Sequence, residues 1–320
     1  MRTGKLTNEQ LDRLILSKLR HTRSEVVCAP SVGVDCTAVA IGQGLAVLSC
    51  DPITAAESGI GRLTVNVSCN DAAASGAEPI GLMVTFLLPP DVTEEQIGAL
   101  ADELAAAASD AGVDVIGGHT EITPAVNRIV TCATVIARPV SDELITPKGV
   151  RPGDEIVVTK HAGLEGAIIM ADKLGENLLS AAELDEVRSF ASLTTVVPEG
   201  LYAARHGAHA MHDVTEGGIL GALWEMSAAS GMGILFDKAL IPVHPVTKKL
   251  ADHCGIDVYK LISSGSMLIA CENGKKLVNG LKKLGVGAAV IGRASGDFTF
   301  VHDREGNIVP PPEADEIYKV

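Results

Sequence analysis

Apolar and polar positions recur with two periods along this chain, and the clearest block runs from 93 to 123. Thr93 and Gln96 have capping-box spacing, and Ile97, Leu100, Ala101, Leu104 and Ala108 fall on one helical face. Gly112 supplies the stop. Val113, Val115 and Ile116 then predict a buried strand, broken at Gly117 and Gly118, where the backbone is free to take positive φ. His119, Thr120 and Glu121 follow as a polar loop. A polar loop at the carboxyl end of a buried strand is where α/β proteins place chemistry. A tight turn with solvated His and Glu side chains fits the same residues.

The same signals extend upstream. Thr7 and Gln10 precede Leu11, Leu14, Ile15 and Leu19, which predicts a helix over 7–20. Val39 and Ile41, then Leu45, Val47 and Ser49, flank Gly42, Gln43 and Gly44 and predict a hairpin. Asp35 lies just before the first strand and Asp51 just after the second, so antiparallel pairing brings both carboxylates to one end of the ladder; ordinary turn aspartates also fit. Residues 61–76 are ambiguous, strand-like by β-branching at first and helical by alanine content later. Asn70 and Asp71 sit inside this apolar segment, and a carboxylate is rarely buried unless paired or metal-bound. Residues 80–88, stopped by Pro89 and Pro90, predict a buried strand, and 129–137 another.

Around 138–153 the composition shifts. Pro139, Pro147, Gly149, Pro152 and Gly153 cluster there and mark a domain boundary. A strand restarts at 155–159, followed by His161, Gly163, Glu165 and Gly166 and an apolar helix, an arrangement that fits an anion cradle or a plain turn. Residues 180–206 predict helix with a break near Pro198, Glu199 and Gly200. A short strand at 208–211 leads into a loop from His212 to Gly218. The next helix carries Ile219, Leu220, Leu223 and Met226 on one side and ends at Gly231. Asp213 reads as a helix cap or a metal ligand. Strands at 266–271 and 288–291 flank a lysine-bearing helix, and the tail from 310 reads as surface.

Composition narrows the class. Of the 320 residues, 47% are apolar and only 3% aromatic, so the core is aliphatic and alanine-rich, as in layered α/β packing. A net charge of −14 argues against a nucleic-acid partner. It admits a phosphate-bearing substrate only with divalent cations between the charges. Seven scattered cysteines without a C-x-x-C pair, no apolar signal core at the start, and no apolar run long enough for a bilayer predict a cytoplasmic protein with no membrane partner.

Five motifs occur in order: Gly33-Val34-Asp35, Ser49-Cys50-Asp51-Pro52, Asn70-Asp71-Ala72-Ala73-Ala74-Ser75-Gly76-Ala77, Gly117-Gly118-His119-Thr120-Glu121 and Asp213-Val214-Thr215-Glu216-Gly217-Gly218. Together they resemble the aminoimidazole ribonucleotide (AIR) synthetase-like, or PurM-like, superfamily. Within it the sequence looks most like the hydrogenase-maturation (HypE-type) branch and its AIR synthase-related relatives. The resemblance implies an α+β fold of two domains. The N-terminal domain, 1–148, would bind ATP and build a β-barrel across a homodimer; the C-terminal domain, 149–320, would be an α/β sandwich.

The resemblance also implies ATP held through Mg²⁺. Asp35, Asp51, Asp71 and Asp213 match acidic positions that hold metal and phosphates. Asn70, Gly117, Gly118 and Thr120 match positions lining the nucleotide, together with Asp35 and Asp213. Asp71, His119 and Glu121 are the candidates for catalysis, His119 standing where relatives often carry an acidic residue and Val34 where many carry a second one. The hydrogenase-maturation enzymes carry their carbamoyl group on a C-terminal cysteine, whereas the last cysteine here is Cys271. The expectation is therefore an enzyme that uses ATP to phosphorylate an amide- or carbamoyl-type oxygen of a small substrate. Two alternatives stay open: a hydrogenase-maturation factor, with a maturation partner protein, and a non-catalytic nucleotide-binding homodimer.

Overall fold

The computed structural model describes residues 8–10, 17, 24, 26–28, 31–34, 36–42, 44–54, 59–141 and 144–320. The helix expected over 7–20 falls mostly outside them, and Asp35 lies outside them altogether. Two six-stranded sheets organise the chain. The first contains β1 (Val26–Cys28), β2 (Thr37–Ile41), β3 (Gly44–Ile53), β4 (Ala77–Leu88), β5 (Asp114–Ile122) and β6 (Val130–Pro139), in the order β1-β2-β3-β6-β4-β5. All its pairings are antiparallel except β4 with β5. The hairpin predicted around Gly42–Gly44 is β2–β3, with Ile41 opposite Gly44. β3 continues to Ile53, so Asp51 lies within the strand rather than after it.

The ambiguous segment after Gly59 is one helix, α1 (Ile60–Ala74). Its β-branched first half is overridden by packing, because small side chains let it lie close between the first sheet, the second sheet and α2 (Glu94–Ala111). At the α1–α2 crossing, a Cβ on Gly61 would collide with the backbone of Leu100 and Leu104. α2 begins with the predicted capping box at Thr93 and Gln96 and ends at a left-handed Gly112. Both helices cover one face of the sheet, where Leu82, Val84, Ala133 and Val135 are buried against Val65, Cys69, Leu104 and Ala108. β4 therefore alternates instead of being buried throughout: Ile80 and Met83 are about half exposed on the other face.

Two expectations fail at β5. This strand is exposed along its entire length, and Gly117 and Gly118 do not break it. β5 is a sheet edge with a neighbour on one side only, so its apolar residues stay largely exposed in the single chain, even though Ile116 lies over Gly81 of β4. Gly118 is required for a different reason. Its φ is 151°, and a Cβ there would run into the carbonyl of Val84 on β4.

The second sheet contains β7 (Glu155–Thr159), β8 (Ala208–Val214), β9 (Gly233–Phe236), β10 (Ser266–Cys271), β11 (Ala288–Ser295) and β12 (Val301–His302), ordered β12-β9-β11-β7-β10-β8. Its helices are α3 (Leu164–Leu178), α4 (Ala181–Ser189), α5 (Val197–Arg205), α6 (Gly218–Ser230), α7 (Pro245–Cys254) and α8 (Gly274–Lys283). One face packs on α6 through Ile219, Leu223 and Met226. The other packs on α5 and α8, and also on Ala73 and Ala74 from the end of α1. Helices thus cover mixed, largely antiparallel sheets, an α+β arrangement in two halves. Among the described residues no helix is long and apolar enough to cross a membrane.

Three more expectations are corrected here. β8 runs through Asp213 to Val214, so Asp213 is a buried strand residue and does not cap α6, whose N-cap is Gly217. The break in 180–206 falls at 194–196, and Pro198 sits in the first turn of α5, where a missing N–H costs nothing. The tail is not all surface. Asp315 and Glu316 are buried, and Asp315 accepts a hydrogen bond from the Gly217 amide at 2.7 Å.

Candidate active site

Strand alternation points Ser49 and Asp51 of β3 toward α1, where Asp71 occupies the last turn. Asp71 and Ser49 are both buried. The Ser49 hydroxyl lies 3.2 Å from Asp51 Oδ2 and also contacts Asp71 Oδ2 in a short hydrogen bond. One hydroxyl proton serves only one of these oxygens at a time, so two carboxylates face each other across a single donor. This set of three hard oxygens suits a hard divalent cation such as Mg²⁺. Among the described residues no group of three or more His, Cys, Asp or Glu side chains is arranged to hold a metal. Asp51 and Asp71 thus meet as a pair, and further ligands must come from phosphate oxygens, water or residues beyond those described. The Cys69 thiol nearby is pushed up to about 12, first by burial and then by the Asp71 charge, so it stays protonated.

Asn70 has a use that its sequence position did not reveal. Its amide nitrogen donates to the Thr194 carbonyl at 2.8 Å, and its amide oxygen accepts from the Val196 amide at 2.7 Å. One turn earlier, Asn66 donates to the Thr194 hydroxyl at 2.8 Å. Two asparagines on one face of α1 therefore clamp the 194–196 loop of the second half, one residue from Asp71. The back of this loop is held by Lys160, which donates to the carbonyls of Thr195 at 2.7 Å and Gly265 at 2.6 Å and to Glu199 Oε1. Lys160 adopts φ 53°, unusual for a residue with a Cβ, at the end of β7. Burial lowers its pKa and the adjacent Glu199 opposes that shift. Glu199 Oε2 is enclosed without a partner.

Asp213 approaches the same junction from β8. It shares a sheet face with Met211, which packs in the cluster containing Ala73 and Ala74, two and three residues after Asp71 on α1. His212, facing the other way, bonds Glu225 of α6 at 2.8 Å. The turn holding Gly33 lies against α6 as well, 3.3 Å from the Ala229 side chain for a Cβ built on that glycine. The motifs around 33, 51, 71 and 213 are thereby drawn to elements that touch.

The glycine-pair motif is placed differently. Gly118 lies on the helix-covered face, in the lateral row Asp51–Ala133–Val84–Gly118, and Thr120 follows on that face opposite Phe86. His119 and Glu121 point to the open face, opposite Thr85 and Leu87, with 3.6 Å between their side chains and both exposed. Within one chain they are therefore on the far side of the sheet from Asp51 and Asp71. A cavity of about 400 Å³ opens where β4 and the loop after β5 end, lined by Ile60, Pro89, Asp91, Val92, Asn127 and Arg128 among others. It sits at the opposite end of α1 from Asp71, about 16 Å along the helix axis at 1.5 Å per residue.

Sequence reading missed Ser49, Asn66, the 194–196 loop, Lys160 and Glu199 as parts of this junction. Ser49 stood inside a quoted motif, and buried polar residues on an alanine-rich helix were the only other available signal.

Residues 33–138 match the family model described as AIR synthase related protein, N-terminal domain, and residues 151–303 match AIR synthase related protein, C-terminal domain. A protein of Methanocaldococcus jannaschii named as a hydrogenase expression/formation protein is 26% identical over 301 residues, covering 91% of this chain and 88% of its own length. Carbamoyl dehydratase HypE of Rhizobium leguminosarum bv. viciae is 27% identical over 277 residues, covering 83% of this chain and 78% of its own. Among solved structures, hydrogenase maturation protein HypE in complex with ATP superposes with a TM-score of 0.74 at 18% identity, over 98% of this chain and 97% of that one.

Proposed function

Because this chain belongs to the AIR synthase related protein family through both of its halves, we propose that it is an ATP- and Mg²⁺-dependent enzyme that phosphorylates an amide- or carbamoyl-type oxygen of a small substrate. The observation that carries this reading is the pair of half-buried Asp51 and buried Asp71, bridged by buried Ser49, at the meeting point of the two halves. Two carboxylates held that close in a chain of net charge −14 call for a cation, and a cation there is what a triphosphate needs. The ATP complex of a HypE with the same fold supports the nucleotide, and the name carbamoyl dehydratase on a relative supports the acceptor class.

Asp51 and Asp71 would hold Mg²⁺, which would supply the positive charge that phosphate oxygens need in an acidic site. The chain itself supplies positioning. Asn66 and Asn70 fix α1 against the 194–196 loop, so Asp71 and Asp213 are presented from a rigid junction. Gly118 and Thr120 face the side of the sheet that carries Asp51, and we assign them to the nucleotide. A carbamoyl oxygen is a poor leaving group until it is phosphorylated, and a site of this kind needs orientation and charge more than a protein nucleophile. The exposed edge β5 suits pairing with a second copy, and we assign the homodimer to that edge; His119 and Glu121 then reach a site only across the assembly.

Calorimetry of ATP binding with and without Mg²⁺ tests this. Metal-dependent binding that is lost in Asp71→Asn supports the assignment. Absence of binding by the wild type at millimolar ATP sinks it.

A further inference from the structure

The face of the first sheet turned away from the helices carries two cysteines in near contact. Cys50 on β3 and Cys132 on β6 have their Sγ atoms 3.4 Å apart. Cys50 pairs with Thr134 and Pro52 with Cys132, so the two thiols are diagonal neighbours on one face of adjacent antiparallel strands. Cys50 is exposed and Cys132 half-buried, whereas Cys36, Cys69 and Cys271 are buried. Between these strands Asp51 is paired with Ala133. Each cysteine therefore immediately precedes one member of the cross-strand pair that positions Asp51. The same Ala133 anchors α1, since its carbonyl accepts from the Ser68 hydroxyl at 3.2 Å.

We propose that Cys50 and Cys132 form a dithiol that hydroperoxides convert to a cross-strand disulfide, and that this modification weakens nucleotide binding at Asp51 and Asp71. The second half of the proposal rests on the nucleotide reading above. In the first step the Cys50 sulfur attacks a peroxide oxygen. The S–O bond forms, the O–O bond breaks, and the departing hydroxide takes the thiol proton to give water and a sulfenic acid. In the second step the Cys132 sulfur attacks that sulfur. The S–S bond forms, the S–O bond breaks, and hydroxide leaves with the Cys132 proton as a second water. Two thiols are oxidised and one hydrogen peroxide is reduced to two waters.

Closure requires the sulfurs to approach by roughly 1.4 Å, to a bond length of about 2.05 Å. The movement falls on the residues flanking Asp51 and Ala133, while Asp71 stays with α1. The Ser49-bridged pair is then misaligned, and the two carboxylates no longer present their oxygens to one cation.

The test uses the full chain and hydrogen peroxide, the smallest hydroperoxide, because a second copy would cover this face. Treated protein is alkylated, digested and analysed by mass spectrometry, and its affinity for ATP with Mg²⁺ is measured by calorimetry before and after dithiothreitol. The expected result is a peptide pair joined through Cys50 and Cys132, two hydrogens lighter, with ATP affinity reduced at least tenfold and restored by reduction. In Cys132→Ser, dimedone should label Cys50 and ATP affinity should stay within twofold of the reduced wild type. No Cys50–Cys132 link in the treated wild type overturns the dithiol. A link without a change in affinity overturns its effect on the site. Reduced wild type that binds no ATP overturns the nucleotide reading and with it the regulatory half, while the mass measurement still decides the dithiol.

Discussion

Replacing Asn70 with alanine strikes the clamp between the two halves. The side chain is 1% exposed, and it satisfies the Thr194 carbonyl and the Val196 amide, whose residues are 3% and 0% exposed. Alanine removes both partners at once and leaves a small void bordered by the two stripped backbone groups. A buried backbone group stripped of its partner costs about 1–3 kcal/mol, so two such groups predict a loss of about 4 kcal/mol. At 1.4 kcal/mol per decade this is about a thousandfold change in the closed-to-open ratio of the junction. Hydrogen exchange reads the loss directly, because the Val196 amide is protected by Asn70 itself. Its protection factor should fall by two to three decades, while amides in the centre of the second sheet, such as Leu268, change far less. Chemical denaturation should show the matching loss of stability. A loss below about 1 kcal/mol with Val196 protection unchanged would mean that the junction is held by apolar packing of Ala73 and Ala74 and that the amide pairing is incidental.

Three further predictions concern other parts of the structure. Gly118→Ala places a methyl against the Val84 carbonyl at a φ of 151°, so it should lower stability by about 2 kcal/mol and separate β5 from β4, seen as lost amide protection along β5; a normal unfolding midpoint would refute the strand placement. Lys160→Met should cost about 3–5 kcal/mol in urea unfolding, since Glu199, 1% exposed, would remain as a buried charge, and adding Glu199→Leu should recover most of the loss. Glu165 has its pKa raised from 4.5, first by burial of its carboxyl and then by Asp315 and Glu216. Its folded-state value lies above the unfolded one, so its contribution is fully present below about pH 4.5 and is lost as pH rises through the folded value. Glu165→Gln should therefore become progressively more stable than the wild type as pH climbs above 5, and parallel pH–stability curves would contradict this.

Much of the first half was legible from local pattern. The capping box at Thr93 and Gln96, the stop at Gly112 and the β2–β3 hairpin all depend on residues within four positions of each other, and all appear as expected. The same local logic placed α6 and its end at Gly231. It failed at β5, because Val115 and Ile116 have the composition of a buried strand but occupy an edge, whereas Val113, just before the strand, is buried as expected. It failed again at Asp213, where a strand continued three residues past Met211 and took the carboxylate from a loop into the sheet.

Ordered motifs in the sequence were sufficient to determine the family and the α+β class, since each motif is a short run whose identity survives without knowing its neighbours in space. Which of these residues meet was decided only by tertiary structure. Ser49 reaches Asp71 across 22 residues, Asn70 reaches the 194–196 loop across more than 120, and Cys50 reaches Cys132 across 82. Those meetings follow from strand order, from a register that assigns each side chain to one face, and from small residues that let α1 lie close to both sheets. None of these is a property of any local stretch of chain, because a shift of register by one residue would exchange every side chain between the two faces.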